Sequence, residues 1–376
     1  MMKKYSLFLF ALLPLVAFAQ ITGPGYYRVQ NKMSQRFLLL VDNRASINWA
    51  NTSVDLDALK TIGTFDESVC WNPATICYVS EAPTANYYNI SGQGLDLHNI
   101  TGSYLKFTKQ SDGSYIISGE ATKNGTTVAK TLYDSAKPKN PASINTGGSN
   151  GYQYWYARPV KSTGNYYFGI KPDFQASMDN KDAYYTTMYA SFPIKLGDGM
   201  KAYYINTNPQ GEYIEVKTLV NSVPGGTPVI VECPNASPAD NRVDIQPSTA
   251  SATGNKLTGV YFCNDVTDAA HRNVTAYRPT NMRVLGKAAD GRLAFITDHT
   301  LNYIPANKAY LTVPTGAPET IYVVTEIPPS GIETVSADVT PQKRGVYTLK
   351  GQRLGDTAEG LPKGVYIVNG CKTVVK

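Results

Sequence analysis

The sequence predicts an all-β protein, and three features of its composition support that fold class. The chain has 376 residues, of which 27 are Tyr, 31 are Gly and 23 are Pro, while only 17% are charged. Aromatic residues favour strands, and Gly and Pro favour the turns that join them. We therefore expect many short strands, in a chain long enough for two domains and a small tail.

The first segment has the pattern of a secretory signal peptide. Lys3 and Lys4 precede an apolar run from Leu7 to Phe18, which predicts cleavage before Gln20 and a signal peptide over residues 1–19. The run has about 12 apolar residues, whereas a membrane-spanning helix needs about 20. No later segment is long and apolar enough to predict a membrane span. The mature chain is therefore expected to be exported to an oxidising compartment.

The formal charge of +6 does not indicate an acidic partner. Lys3 and Lys4 leave with the signal peptide, and residues 345–376 carry five basic and two acidic residues, so the rest of the chain is close to neutral. Nucleic-acid-binding proteins cluster Lys and Arg to neutralise several phosphates. The sequence shows no such cluster, and nucleic-acid binding is not expected.

The five cysteines allow disulfides but do not require them. Cys70 with Cys77, and Cys233 with Cys263, are plausible pairs in an exported protein, although sequence does not fix connectivity. The alternative is free buried thiols, because a domain of this size folds without disulfides. Cys371 is expected to remain a free thiol. No Cys-x-x-Cys or His-rich spacing indicates a metal site, and no cofactor is predicted.

Residues 20–175 form the first predicted domain. Strand patterns begin at Gly25–Asn31 and Arg36–Asp42 and recur as far as Ile170, with aromatic residues at many strand starts. One short helix is expected between them, with Ser53 as its N-cap and Gly63 as its end. About a dozen short strands over roughly 150 residues are typical of a closed barrel or a trefoil.

Two features of this domain indicate a family. A Tyr-x-Val-x-Asn strand and a Leu-rich strand open the domain, and Gln153-Tyr154-Trp155 forms a Gln-x-Trp motif near its end. These features resemble ricin-B-type β-trefoil lectins. The resemblance implies glycan binding, with Asp42 holding sugar hydroxyls and Trp155 supplying an aromatic face. Each residue also has a structural interpretation: Asp42 as a turn residue that caps its own backbone, and Trp155 as part of the core.

The second predicted domain, residues 183–325, contains a short internal repeat, which we call the echo. Lys201-Ala202-Tyr203 recurs as Lys308-Ala309-Tyr310. Val223 and Ile304 are each followed by a Pro-containing turn, which leads into an apolar strand. The pattern resembles a β-sandwich module of exported Bacteroidetes proteins. Lys201 and Lys308 are candidate ligand groups; alternatively, they are edge-strand charges that prevent sheets from pairing.

The C-terminal segment, residues 345–376, predicts a small antiparallel sheet. Asn369-Gly370 lies between two apolar strands and is a strong signal for a two-residue hairpin, and Lys350-Gly351 repeats the scheme. This pattern and its basic end resemble the C-terminal sorting domain of the Bacteroidetes type IX secretion system. The resemblance implies the secretion machinery as a partner. Residues 326–344 are rich in Pro, Ser and Thr and predict an exposed linker.

A search for catalytic patterns gives little indication of an enzyme. The sequence has no Gly-x-Ser-x-Gly elbow, no His-Glu-x-x-His motif and no Gly-rich phosphate loop. Asp96 with His98, and Asp298 with His299, are the nearest carboxylate and imidazole neighbours. Asp96 and His98 would share a face only in a strand, and the alternative is a solvated loop pair. The two carboxylates of a glycosidase cannot be recognised from spacing.

These observations predict a non-catalytic binding protein that is secreted or displayed on the outer cell surface. Glycans are the expected ligands, because abundant Tyr can stack on sugars. The alternative is a structural or adhesive surface protein that binds other proteins, including those of a host. A glycan-processing hydrolase is the third hypothesis.

Overall fold

The computed structural model describes residues 21–40, 59–63, 65–101, 104–123, 126–134, 142–146, 151–263, 275–328 and 345–376. Contacts divide the chain into two compact units, Met1–Ile327 and Pro328–Lys376. Nearly all regular structure in both units is β-strand, which confirms the predicted fold class. The predicted signal peptide and residues 329–344 of the predicted linker lie outside the described residues.

Eleven strands and three short helical turns are present in the described part of the first half of the larger unit. In chain order they are β1 (Gly25–Asn31), β2 (Phe37–Leu40), β3 (Leu59–Ile62), a π-helical turn (Phe65–Val69), a 3-10 turn (Pro73–Thr75), β4 (Cys77–Glu81), β5 (Tyr87–Gly92), β6 (Leu95–Asp96), α1 (Leu97–Thr101), β7 (Leu105–Lys109), β8 (Tyr115–Lys123), β9 (Thr126–Asp134), β10 (Ala142–Thr146) and β11 (Tyr154–Pro159).

Six of these strands form a closed antiparallel ring. The pairings run from β1 to β4, β5, β7, β8 and β11, and then from β11 back to β1. A second path joins β1 to β8 through β2, β3, β10 and β9. Val29, Val79, Ile117 and Trp155, from four of the ring strands, belong to one buried cluster. Each ring strand is therefore paired on both sides, which removes the exposed edges that promote aggregation.

The helix expected from Ser53 to Gly63 is wrong in its described part. Leu59–Ile62 is strand β3, and it pairs with β2 at four successive positions. Residues 53–58 lie outside the described residues. The apolar spacing fits a helix, but pairing with neighbouring strands overrides such local preferences.

The described residues in the second half of the larger unit form fifteen strands. They are β12 (Phe168–Gly169), β13 (Phe174–Met178), β14 (Lys181–Met188), β15 (Ile194–Lys195), β16 (Lys201–Tyr204), β17 (Tyr213–Glu215), β18 (Lys217–Leu219), β19 (Ser222–Val223), β20 (Val229–Cys233), β21 (Arg242–Val243), β22 (Leu257–Val260), β23 (Met282–Lys287), β24 (Leu293–Ile296), β25 (Lys308–Thr312) and β26 (Thr320–Val324).

Two sheets dominate this second half. One has the order β13-β14-β20-β16-β18, and the other has the order β17-β26-β24-β23-β25-β22; two short strand pairs, β12 with β21 and β15 with β19, complete it. Ile230 of the five-stranded sheet and Phe295 of the six-stranded sheet belong to the same buried cluster. Val229 and Val231 belong to a different cluster, which also contains Ile76 from the first half. Strand β20 is therefore buried on both faces, which explains its nearly continuous apolar sequence.

A buried pair of amides joins the two halves of the larger unit. The Gln93 side chain donates to Asn307 Oδ1 at 3.0 Å, and the Asn307 side chain donates back to Gln93 Oε1 at 2.9 Å. Gln93 is fully buried and Asn307 is 6% exposed. Each amide also donates to a backbone carbonyl, of Tyr261 and Tyr189 respectively. The halves are therefore linked by satisfied polar groups as well as by apolar packing.

The smaller unit is a four-stranded antiparallel sheet. Its strands β27 (Val346–Thr348), β28 (Arg353–Gly355), β29 (Gly364–Val368) and β30 (Cys371–Val375) lie in the order β28-β27-β29-β30. Asn369 and Gly370 have φ angles of 48° and 85°, and Val368 pairs with Cys371 across the turn. The predicted hairpin is confirmed, because its turn requires positive φ at both central residues.

The proposed disulfides are not formed. Cys70, Cys77 and Cys233 are buried free thiols, so neither Cys70 with Cys77 nor Cys233 with Cys263 is bridged. Burial raises the pKa of Cys77 and that of Cys233 to about 12. These thiols stay protonated and inert at neutral pH, as the alternative interpretation expected. Cys371 is an exposed free thiol.

Candidate functional site

A cleft of about 420 Å³ lies where the turn before β4 meets strand β14 and the loop before β25. Phe168, Ile170 and Met188, all buried, contribute apolar side chains to it. Trp71, Asp173 and other polar residues supply a few groups that can form hydrogen bonds. This size and mixture are typical of sites that bind small molecules. The lining residues are Trp71, Asn72, Pro73, Phe168, Ile170, Lys171, Asp173, Thr186, Thr187, Met188, Pro305, Ala306, Asn307 and Lys308.

One side of the cleft is the Trp71 wall, defined as residues Trp71–Pro73. Pro73 begins the 3-10 turn, a position where its missing N–H leaves no donor unpaired. Asn72 caps that turn, because its Oδ1 accepts from the N–H of Ala74 at 2.9 Å. Pro73 is buried, whereas Trp71 is half-buried. The indole therefore lies next to a capped turn that fixes its backbone.

Arg28 supports the Trp71 wall from the interior. Its guanidinium is fully buried and donates to the carbonyls of Cys70 at 3.1 Å and Tyr167 at 3.0 Å, to that of Tyr166, and to the Thr75 hydroxyl. Among the described residues, no carboxylate forms an ion pair with it. Burial lowers the pKa of Arg28 to about 9, so the side chain remains charged at pH 7. Within the described part of the chain, neutral groups therefore balance this buried positive charge.

A second group of lining residues is the Asp173 wall, defined as Asp173, Thr186 and Lys308. The Lys308 amine lies 2.7 and 2.6 Å from the two Asp173 oxygens and 2.6 Å from Thr186 Oγ1. The Thr186 hydroxyl donates to Asp173 Oδ2 at 2.8 Å. Thr186 is buried, but the Asp173 side chain is 44% exposed. The carboxylate is therefore held in place and still open to solvent.

Lys171 contacts the Trp71 wall and lies two residues before Asp173 in the chain. Its amine lies 4.5 Å from the centre of the Trp71 ring, within the range of a cation–π contact. The side chain is exposed and lines the cleft. In the described part of the chain, no Asp or Glu lies within ion-pair distance of this amine. Lys171 is therefore a cation with hydrogen-bond donors available to a ligand.

The two site residues predicted from sequence have different outcomes. Asp42 lies outside the described residues, so its assignment stays a prediction. Trp155 is 1% exposed, and its indole N–H donates to the Leu132 carbonyl at 3.2 Å. The residue lies in the core of the ring, where no sugar can stack on its face. This placement matches the structural interpretation of the Gln-x-Trp motif.

The two candidate lysines both pair with carboxylates. Lys201 lies 3.0 Å from Glu232, a nearly buried residue on the neighbouring strand that also accepts from the Tyr203 hydroxyl at 2.6 Å. Lys308 pairs with Asp173 and lines the cleft. The echo between the two segments therefore places matching lysines at the starts of β16 and β25, but only Lys308 belongs to the cleft.

The carboxylate and imidazole neighbours do not form catalytic pairs. Asp96 ends strand β6 and accepts from the N–H of Asn99, whereas His98 lies in α1 with its ring stacked on Tyr104 at 3.8 Å. Asp298 accepts from Thr300, and these hydrogen bonds lower the pKa of its carboxyl. Both carboxylates thus cap local backbone, a common role for Asp in turns. His271 lies outside the described residues.

Sequence reasoning missed Trp71, Lys171 and Asp173. The only local signal was Asn72-Pro73, which marks a turn start, and it does not indicate that the preceding Trp lines a cleft. Asp173 is distant from Lys308 in the chain, and only the pairing of β13 with β14 and the packing of β14 beside β25 bring them together.

Across the described residues, no group of three or more His, Cys, Asp or Glu side chains could hold a metal ion. The same residues include no helix of sufficient length and apolarity to cross a membrane. No protein-family model, curated protein or solved structure matches the chain.

Proposed function

We propose that this chain is a non-catalytic protein that binds glycans in the cleft between the Trp71 wall and the Asp173 wall. The observation that carries the proposal is that an aromatic ring and an anchored, exposed carboxylate line one cleft. Aromatic rings cover the apolar faces of sugars, and a carboxylate accepts hydrogen bonds from their hydroxyls. Binding fits the lining better than hydrolysis, because Asp173 is its one carboxylate and glycosidases use two.

The fold supports a finer proposal for the two halves of the larger unit. We propose that residues 20–175 form a β-trefoil, and the closed ring of six strands and buried Trp155 support this assignment. We propose a β-sandwich for residues 183–325, which the core shared by the five- and six-stranded sheets supports. In a trefoil lectin Asp42 would supply a separate sugar contact near the end of β2.

We also propose that the chain is exported by residues 1–19 and sorted by residues 345–376 to the medium or outer cell surface. The hairpin sheet of the smaller unit supports a discrete sorting domain. Deleting Gly345–Lys376 should leave a folded protein that accumulates in the periplasm, which cell fractionation would detect. Unchanged delivery to the surface would contradict the sorting proposal.

Glycan binding by the full chain tests the main proposal. Against a glycan found by array screening, Trp71→Ala and Asp173→Asn should each weaken binding about tenfold, equivalent to about 1.4 kcal/mol. Tyr213→Ala is a control for loss of a half-buried aromatic outside the cleft. Asp290→Asn is the matched control for Asp173, because Asp290 is 43% exposed and pairs with Arg292 at 2.7 Å.

Three outcomes separate the hypotheses. Loss of binding in the two cleft variants but not in the controls would support the cleft as the glycan site. Equal binding by all four variants would place the glycan elsewhere. If the parent binds no glycan at millimolar concentration, the proposal fails, and the alternative of an adhesive protein that binds other proteins becomes the better one.

A further inference from the structure

We infer that the glycan bound in this cleft is acidic, with a carboxylate or sulfate group of the sugar bound by Lys171. The inference rests on the proposed function of the same cleft, and it specifies the class of ligand. The reason is that Asp173 neutralises the charge of Lys308, whereas no carboxylate of the described residues neutralises that of Lys171.

The Lys308 amine already has hydrogen-bond acceptors within the protein. The amine has three N–H groups and three acceptors within 2.7 Å, namely the two Asp173 oxygens and Thr186 Oγ1. The charges of Lys308 and Asp173 therefore largely cancel. Asp173 retains lone pairs for sugar hydroxyls, because its side chain is 44% exposed. This wall is suited to neutral hydroxyl groups and contributes little net charge.

The Lys171 amine has no such acceptors among the described residues. The Trp71 ring attracts the amine through its π electrons but accepts no ordinary hydrogen bond, so the N–H groups remain available. The contact also restrains a long side chain, which reduces the entropy lost when a ligand binds. Because the amine lies 4.5 Å from the ring centre, a sugar that packs beside Trp71 has its substituents within reach of Lys171.

Arg28 adds to the positive potential of the same wall. Two of the carbonyls that it binds belong to Cys70, which precedes Trp71, and to Tyr167, which precedes Phe168. Both following residues line the cleft, so the guanidinium binds the backbone next to two lining residues. A buried charge without an anionic partner is poorly screened by solvent. An anionic group at Lys171 would therefore interact favourably with two cations on one side of the cleft.

The test compares matched ligands that differ only in charge. The full chain is titrated calorimetrically with trigalacturonic acid, its neutral methyl ester, and a sulfated galactose trisaccharide with its unsulfated counterpart. We expect at least one acidic ligand to bind about tenfold more tightly than its neutral counterpart. Raising salt from about 0.05 M to about 0.5 M should weaken the acidic ligand selectively. The two acidic ligands distinguish a carboxylate from a sulfate.

Variants at Lys171 locate the effect. Lys171→Gln should reduce binding of the acidic ligand about five- to tenfold and leave its neutral counterpart unchanged, whereas Lys171→Arg should retain the preference. Lys161→Gln is the matched control, because Lys161 is also exposed, lies outside the cleft lining and changes the net charge equally. Equal affinity for acidic and neutral ligands, or equal weakening of both by Lys171→Gln, would overturn the inference and leave glycan binding intact. If a neutral glycan from the array binds and none of these four ligands does, the inference fails and the proposed function stands. If no glycan binds at all, both fail.

Discussion

The two walls of the cleft are anchored by different kinds of interaction. The Trp71 wall depends on Arg28, whose guanidinium is fully buried and whose hydrogen-bond acceptors among the described residues are all neutral. The Asp173 wall depends on an ion pair at its surface, in which Lys308 and Asp173 are 25% and 44% exposed. Buried hydrogen bonds contribute strongly to stability, whereas exposed ion pairs contribute little. The first wall therefore contributes to the stability of the fold, whereas the ion pair of the second wall contributes little to it.

The largest effect is expected from Arg28→Met. This substitution removes the four hydrogen bonds of the guanidinium and takes its donor from the buried Tyr167 carbonyl, while the Gly169 N–H still donates to Cys70. Each hydrogen bond to a charged group contributes about 1.5–3 kcal/mol. Because removal of the buried charge offsets part of this cost, we expect a loss of about 2–4 kcal/mol in the free energy of unfolding. Chemical denaturation followed by tryptophan fluorescence measures it. Arg28→Lys should lose less free energy of unfolding, since an amine restores part of the hydrogen bonding. An Arg28→Met protein as stable as the parent would contradict the claim that the Trp71 wall contributes more to stability than the Asp173 wall.

A smaller effect is expected from Gln93→Leu, which tests a buried anchor near the Asp173 wall. Gln93 holds the Asn307 amide, and Asn307 immediately precedes Lys308. Loss of this reciprocal pair should lower the free energy of unfolding by about 1–3 kcal/mol. The matched control is Gln110→Leu, at a partly exposed glutamine whose side chain has one described hydrogen bond, to the Thr108 carbonyl. Equal stability of the two variants would show that the amide pair does not join the halves of the larger unit.

The smallest effect on stability is expected from Lys308→Gln. An ion pair this exposed is worth about 0–1 kcal/mol, and salt should reduce the difference further. The same variant should weaken glycan binding several-fold, because Asp173 loses the amine that orients it. Denaturation and calorimetry on one preparation measure both effects. A loss of stability as large as that of Arg28→Met would contradict the surface role of this wall.

Features that depend on neighbouring residues could be predicted from the sequence, and features that depend on distant ones could not. The turn at Asn369-Gly370 was predictable because positive φ is a local requirement. The spacing of Leu56, Leu59 and Ile62 fits a helix, yet residues 59–62 form a strand because β2 and β10 lie on either side. Strand pairing between remote segments has no comparable local signal.

The candidate site was also only partly predictable from the sequence. Lys308 was a candidate because of its echo with Lys201, but the echo reflects matching strand starts, and only one of the two lysines lines the cleft. Trp155 carried the recognisable motif and is buried, whereas Trp71 has no motif and lines the cleft. A cleft formed by three distant segments is defined by tertiary packing, which the order of residues along the chain does not display.

A crystal structure of the full chain with trigalacturonic acid tests the central claim most directly. We predict a sugar ring against Trp71, sugar hydroxyls within about 3.2 Å of Asp173 and a sugar carboxylate at the Lys171 amine. Binding at the end of β2, where Asp42 follows, would instead support the lectin site predicted from sequence. A sugar at that position with an empty cleft would contradict the account of the Trp71 and Asp173 walls as the glycan site.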